Sequence, residues 1–310
     1  MASNDANVEL MRKKIKRKTR LKNDFDAWIL MIPMVIVLYL AIWRPTVIGG
    51  VWSFMKMKGY TPGGFNGIEN YRIVVTNSEF LILLKNTALY VLWSLVIGFI
   101  PPIAIAIMLN EMVFCRSGLR VIIYLPAVIP GIASMLIWRY IYDPGQMGLL
   151  NQALASMGFA KYGWLQAPEF TIVGLVIYMT WAGFAGTMLL YYACIQGTSV
   201  ELYEAALIDG AGPFKRVWHV TLPALAGILV LNVVRQIIGV FQTMDVPLAM
   251  TGGGPNNASN TLSLRLYELG IKTAGQTAGQ AMALGVIIFL ILIVFTCFYF
   301  WVNKKVEDNY

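Results

Sequence analysis

The chain has 310 residues, 58% of them hydrophobic and only 13% charged, and its mean hydropathy is +0.64. A soluble domain carries about 25% charged residues, so too little charge remains here to cover a water-facing surface, and an ordinary soluble fold is excluded. The net charge of +8 is uneven, with eight basic residues between Arg12 and Lys22 in MRKKIKRKTRLK. A run like that suits nucleic acid or anionic lipid, but directly before an apolar stretch it reads as a cytoplasmic flank that fixes orientation.

Apolar runs of about 20 residues recur along the chain, which predicts an all-α, polytopic membrane protein. Six transmembrane helices can be drawn, at Ala27–Gly49, Leu84–Leu109, Leu119–Tyr142, Phe170–Ile195, Pro223–Val246 and Gln280–Val302. The first, WILMIPMVIVLYLAIW, has no small-residue cleavage site after it and continues past Pro45, so it is a retained span. An even number of crossings puts both termini on one side, and the basic tail with Lys304–Lys305 makes that side the cytoplasm. The chain thus divides into a basic tail at 1–26, one membrane domain at 27–302 and a short tail at 303–310. Arg116, Arg120, Lys215 and Arg216 fit cytoplasmic loops, while Lys56, Lys58 and Arg72 fall in predicted outer segments. Those segments, at about 55–80, 143–169 and 247–277, hold YTPGGFNG, DPGQMG and TGGGPNNASN and read as turns and loops.

Several chemistries have no residues to carry them. There is no G-x-x-x-x-G-K-[ST] phosphate loop, and TGGGP at 251–255 lacks the lysine that would follow. His219 is the single histidine, with no H-E-x-x-H and no G-x-S-x-G, so no catalytic set can be nominated. Cys115, Cys194 and Cys297 are scattered and suggest neither a disulfide framework nor a metal site. Ion-coupled transport usually places ionisable groups within spans. Here Asp245 near the outer end of the fifth span and Arg235 near its middle give only a thin basis for a relay.

The exception to short, plain loops is ELYEAALIDGAGPFKRVWHVTLP at 201–223. Ser199 is placed to cap a helix from Val200, and Glu201 and Glu204 suit the positive end of its dipole. Ala205, Ala206 and Ile208 continue the helix until Gly210 or Gly212 ends it. Pro213 then opens a second short helix, FKRVWHV, before Leu222–Pro223 begins the next span. On pattern alone, this helix–turn–helix is equally a docking knob or an interfacial connector.

Glu204-Ala205-Ala206, Gly210, Val220 and Leu222-Pro223 resemble the EAA loop (EAA-x3-G-x9-I-x-L-P) of permease subunits in binding-protein-dependent ABC importers, with Val220 in place of Ile. The tighter EAA-x2-DGA, with Asp209, Gly210 and Ala211, resembles the carbohydrate-importing branch. The likeness extends along nearly the whole chain. GIENYRIVV at 67–75 followed by Asn86-Thr87, LPAVIPGIASMLIWRYIYDP at 125–144 and TGGGP at 251–255 resemble maltose-type permeases, the last feature being more like the first of the two subunits.

The resemblance implies a type I ABC importer transmembrane fold in the cytoplasmic membrane of a bacterium or archaeon. Its implied partners are a second, homologous permease, two copies of an ABC ATPase, an extracytoplasmic solute-binding protein, a sugar and membrane lipid, with no nucleic acid. It implies no cofactor and no catalysis in this chain, since ATP and Mg would sit in the partner ATPase. The coupling loop at 199–223 would then present Glu204 for a polar contact, Ala205 and Ala206 for packing and Gly210 for the turn, alongside Asp209, Leu222 and Pro223.

A substrate path is expected among the later spans. Asn232, Gln236 and Thr243 recur at i, i+4 and i+11, close to one helical face, with Arg235 and Gln242 flanking it. Amide and guanidinium groups facing lipid are costly, so this face should line a cavity or the partner permease. Tyr178 and Trp181, at i and i+3 of the fourth span, would stack on a sugar ring. The same residues suit interhelical hydrogen bonds or interface aromatics equally well. Two rival functions stand beside this one. One is a stand-alone secondary transporter of a polar solute. The other is an ABC permease for different cargo, although an anion asks for more basic residues than Arg235 and Arg139, and a metal asks for a His or carboxylate cluster.

Overall fold

A computed structural model describes residues 27–112, 115–273 and 275–307. The basic run from Arg12 to Lys22 lies outside them, as does the tip of the C-terminal tail. Contacts divide the chain into two units, at Trp52 and Ser53.

The first unit's described part is one helix, α1 (Ala27–Trp52). None of its residues is buried within the unit. It widens into a π turn at Tyr39–Trp43, where the Arg44 N–H reaches back to the Tyr39 carbonyl. Pro45 follows, and its ring would collide with a carbonyl four residues back, so the preceding turn opens to avoid it. The same device recurs twice in the second unit. π turns at Ser94–Gly98 and Val217–Thr221 stand just ahead of Pro101–Pro102 and Pro223.

The second unit begins with an antiparallel hairpin, β1 (Met55–Lys58) with β2 (Thr61–Phe65), turning at Gly59 with φ +61°. The sequence reading took this stretch as loop; Met55–Lys58 alternates apolar and polar over only four residues, and the PGG of the second strand is poor strand material. Helix α2 (Glu69–Thr76) follows, then α3 (Ser78–Glu111), capped by Asn77, whose Oδ1 accepts the Glu79 N–H at 2.8 Å. This second span starts well before the predicted Leu84.

The predicted third span, Leu119–Tyr142, is not one helix. Helix α4 (Arg116–Val128) and α5 (Gly131–Ile141) meet at 94°. Ile129 precedes Pro130 and is extended, with ψ 129°, because a proline's Cδ crowds the α conformation of the residue before it. At 1.5 Å per residue, neither arm reaches the roughly 30 Å of a bilayer core alone. Helix α6 (Leu149–Ser156) lies between α5 and the fourth span, α7 (Pro168–Gln196).

Helix α8 (Val200–Ile208) precedes α9, which runs Pro213–Phe241. The predicted separate helix FKRVWHV is therefore the first part of the fifth span, joined to it through the π turn before Pro223. The span also ends earlier than the predicted Val246, and Asp245 opens a separate short helix, α10 (Asp245–Met250). Helix α11 (Leu262–Tyr267) passes into a further π turn, and α12 (Ala278–Glu307) continues beyond the predicted Val302. Among the described residues, five helices are long and apolar enough to cross a membrane, and six if the bent α4–α5 pair counts as one broken span.

The stretch predicted as an outer loop at 247–277 folds back over the ends of α3 and α9. The buried Asn86 amide donates to the carbonyls of Asn257 (2.6 Å) and Asn260 (3.1 Å), and Tyr90 donates to Ser259 (3.1 Å). Arg265 holds Glu79 at 2.8 Å. TGGGP makes the tight turn expected of it, with Gly252 at φ +63° and Gly253 at +87°. This capped surface and the hairpin form one side of the second unit, here the far side, since Tyr60 donates to Gly270. The α8 loop stands on the opposite, loop side.

Candidate functional site

Two features attract attention, the α8 loop and a polar cavity between spans. The loop follows the sequence reading closely at its start. Ser199 Oγ accepts the Glu201 N–H at 3.2 Å, satisfying one of the free donors of the first turn. The end is a Schellman turn: Gly210 N–H donates to Leu207 (3.0 Å) and Ala211 N–H to Ala206 (2.9 Å). Gly210, at φ +72°, is the residue that stops the helix; Gly212 has φ −65° and only precedes Pro213.

The loop is tied down at several points. Arg216 pairs with Glu111 at the end of α3 (2.9 Å), with side chains only 16% and 32% exposed. Tyr203 shares a hydrogen bond of 3.1 Å with Thr221, clamping α8 to the start of the fifth span. Close by, Gln196 at the end of α7 donates to Asn110 of α3 at 2.6 Å. Tyr203 thus holds α8 to α9, Arg216 holds the start of α9 to α3, and Gln196 joins α7 to α3 beside them.

What α8 does not do is bury anything within the chain. Val200, Leu202, Leu207 and Ile208 are 54–86% exposed, as are Phe214 (84%) and Trp218 (68%) on the following turns. Between α8 and the start of α9 lies an open concavity of about 410 Å³. Ala205, Ala206 and Asp209 line it from one side, and Lys215, Arg216 and His219 from the other. Small alanines on one wall leave room for a foreign side chain to enter, and cations on the other favour an acidic one. Glu204 is exposed and makes no ion pair with any described residue. Leu222 and Pro223 lie beyond the concavity, and Pro223 acts through the π turn that sets the direction of α9.

The second feature is a cavity of about 380 Å³ among α3, α7 and α9, within the range of small-molecule sites. Four residues of the predicted polar face, Asn232, Arg235, Gln236 and Thr243, line it together. Gln236 donates to the Ser94 carbonyl in the α3 π turn, and Asn232 bonds back to Ile228 at 3.0 Å. Gln242 stands apart: its side chain is exposed and does not line the cavity.

Tyr178 and Trp181 do not line it either. Tyr178 is buried, hydrogen-bonded to Ser134 at 2.8 Å, and Trp138 of α5 packs against both rings at centroid distances of 5.9 and 5.5 Å. They seat the broken span on α7 instead. The α7 residues that do reach the cavity include Val176, Met179 and Phe184, and among them Thr180, Gly183, Thr187 and Tyr191 recur at i, i+3, i+7 and i+11. That small, polar stripe was readable in the sequence as one helical face. Gly98 completes the lining from α3, where a Cβ would stand 2.7 Å from Gln236 Nε2 and 3.1 Å from Thr180 Oγ1. Among the described residues, no group of three His, Cys, Asp or Glu could hold a metal.

With this geometry in place, comparison with known proteins is informative. The family described as "Binding-protein-dependent transport system inner membrane component" matches residues 98–308. The trehalose/maltose transport system permease protein MalF of Thermococcus litoralis is 30% identical over 286 residues, covering 91% of this chain and 94% of that one. The probable starch degradation products transport system permease protein AmyD of Thermoanaerobacterium thermosulfurigenes is 26% identical, covering 94% and 98%. Among solved structures, a bacterial ABC transporter involved in import of the acidic polysaccharide alginate contains a chain that superposes with a TM-score of 0.81. It is 21% identical, and the match covers 93% of this chain and 98% of that one.

Proposed function

The chain belongs to the inner-membrane components of binding-protein-dependent transport systems, and from that premise we propose that it is one permease of an ATP-driven sugar importer, coupled to a separate ATPase through α8. The observation that carries the coupling role is a two-turn helix, capped by Ser199 and clamped through Tyr203 to Thr221, that leaves four large aliphatic side chains exposed beside an open concavity. An uncovered apolar patch of this kind marks a protein or membrane interaction surface, and the concavity beside it favours a protein. In this reading the loop side is cytoplasmic and the ATPase seats against α8. Glu204 makes a charged contact with it, Ala205, Ala206 and Asp209 frame its pocket, and Gly210 holds the angle. ATP and Mg belong to that subunit.

Sugar as cargo is supported by the names of the relatives, which transport starch degradation products and trehalose or maltose. The cavity chemistry agrees, because amides and hydroxyls that converge on one space suit the many hydroxyls of a carbohydrate. A second permease covers the open side of the cavity, and a solute-binding protein delivers cargo to the far side.

The reading predicts that a tagged chain purified from its native membrane brings down an ATPase and a second permease. Glu204→Lys should lose the ATPase by about tenfold, as expected when a charged hydrogen bond becomes a repulsive contact, and keep the second permease. Purification of the chain alone, with uptake that survives removal of ATP, would instead make it a secondary transporter with α8 as a connector.

A further inference from the structure

The cavity holds one formal charge, that of Arg235, and no carboxylate lines it. Arg235 sits thirteen residues past Leu222, about 20 Å along the helix at 1.5 Å per residue, and so within the depth of a bilayer core. Ionisable groups at that depth are kept only where they have a partner or a task. Among the described residues, no acidic side chain forms an ion pair with Arg235, and its side chain is exposed towards the cavity.

A second group points the same way. Tyr191 lines the same cavity, with its hydroxyl beside Asn232 and Arg235. Thr180, Thr187, Asn232 and Gln236 already supply the neutral donors and acceptors that an uncharged sugar needs. A guanidinium adds something they do not: a planar fork of donors that matches an oxyanion at two points.

Resting on the importer reading above, we propose that the cargo is an acidic sugar whose carboxylate or sulfonate is held by Arg235; a small free anion would ask for more basic residues, whereas here the ring hydroxyls make the remaining contacts. The amide and hydroxyl residues bind the ring hydroxyls. The charge selects, at the membrane, among sugars of similar size.

The test uses the complete transporter in proteoliposomes with its binding protein, comparing a uronate oligosaccharide, a sulfonated sugar and the carboxyl-reduced, neutral oligomer of the same length. The wild type should take up at least one acidic probe about tenfold faster than the neutral one, the discrimination expected of a charged hydrogen-bond pair. Whether the uronate or the sulfonate is preferred identifies the oxyanion. Arg235→Gln should erase that preference, and Arg235→Lys should keep part of it. Equal or faster uptake of the neutral oligomer by wild type overturns the proposal without any variant. So does a loss from Arg235→Gln that is the same for all probes, or one that separates the two permeases, since Arg235 would then be pairing with the partner. Failure of the importer reading looks different: no ATPase co-purifies and uptake of every probe is indifferent to ATP.

Discussion

Gly210→Val is expected to abolish coupled uptake, while Gly210→Asn keeps most of it. Gly210 sits at φ +72°, and a Cβ there would meet nothing within 4 Å. The penalty is therefore in the backbone and not in crowding. A left-handed conformation costs an ordinary L residue about 1–2 kcal/mol; Asn tolerates it, and a β-branched residue suffers most. Valine should break the two Schellman bonds, from Gly210 to Leu207 and from Ala211 to Ala206, and so change the angle between α8 and α9. Because α8 buries nothing within the chain, expression and membrane insertion should hold. ATP-dependent uptake should fall more than tenfold, about 1.4 kcal/mol of coupling, along with ATPase recovery. A fully coupled valine variant would mean that the turn does not set the docking geometry.

The second large effect is expected at Gly98, on the wall of the cavity. Even a methyl group there comes within 2.7 Å of Gln236 Nε2 and 3.1 Å of Thr180 Oγ1. Leucine would displace Gln236 from the Ser94 carbonyl and fill part of the cavity. Overpacking costs about 1–3 kcal/mol, so Gly98→Leu should reduce the initial rate of uptake by about tenfold or more. Gly98→Ala should fall between it and wild type. Recovery of the ATPase should be unchanged, because α8 and the Arg216–Glu111 pair lie outside this cavity. Normal uptake by the leucine variant would take this cavity off the transport path.

The two variants separate the parts of the molecule that the sequence displays differently. The α8 loop was legible residue by residue, because caps and turn glycines act over three or four positions and leave a local signature. Ser199, Gly210 and Pro213 each do in the structure what their chemistry predicts. Hydropathy likewise found the long spans, but it registers only apolar length. It read through Ile129-Pro130, where the chain turns by 94°, and it separated FKRVWHV from a span to which the helix is joined. The prolines carried both facts: Pro130 breaks the chain, while Pro223 is absorbed by a π turn.

The cavity was half legible. A polar face on the fifth span brought Asn232, Arg235, Gln236 and Thr243 together, because three amide or guanidinium groups at helical spacing stand out against leucine and valine. Tyr178 and Trp181 were chosen for their chemistry, yet i, i+3 spacing does not say which way that face looks; they turn towards Trp138 of α5. Thr180, Thr187 and Tyr191, on the face that does line the cavity, are quiet residues in a membrane helix. Gly98 matters only because α3, α7 and α9 converge on it, which no local pattern can express.

The central claim, that α8 seats against a separate ATPase, is tested most directly by a photoreactive side chain placed at Leu207 and illuminated in whole cells. Leu207 is 55% exposed on α8, and Phe65, 77% exposed on the far-side hairpin, serves as the control. The account predicts a cross-linked product that contains the ATPase from position 207 and none from position 65. No ATPase product at 207, or the same product from Phe65, would contradict it.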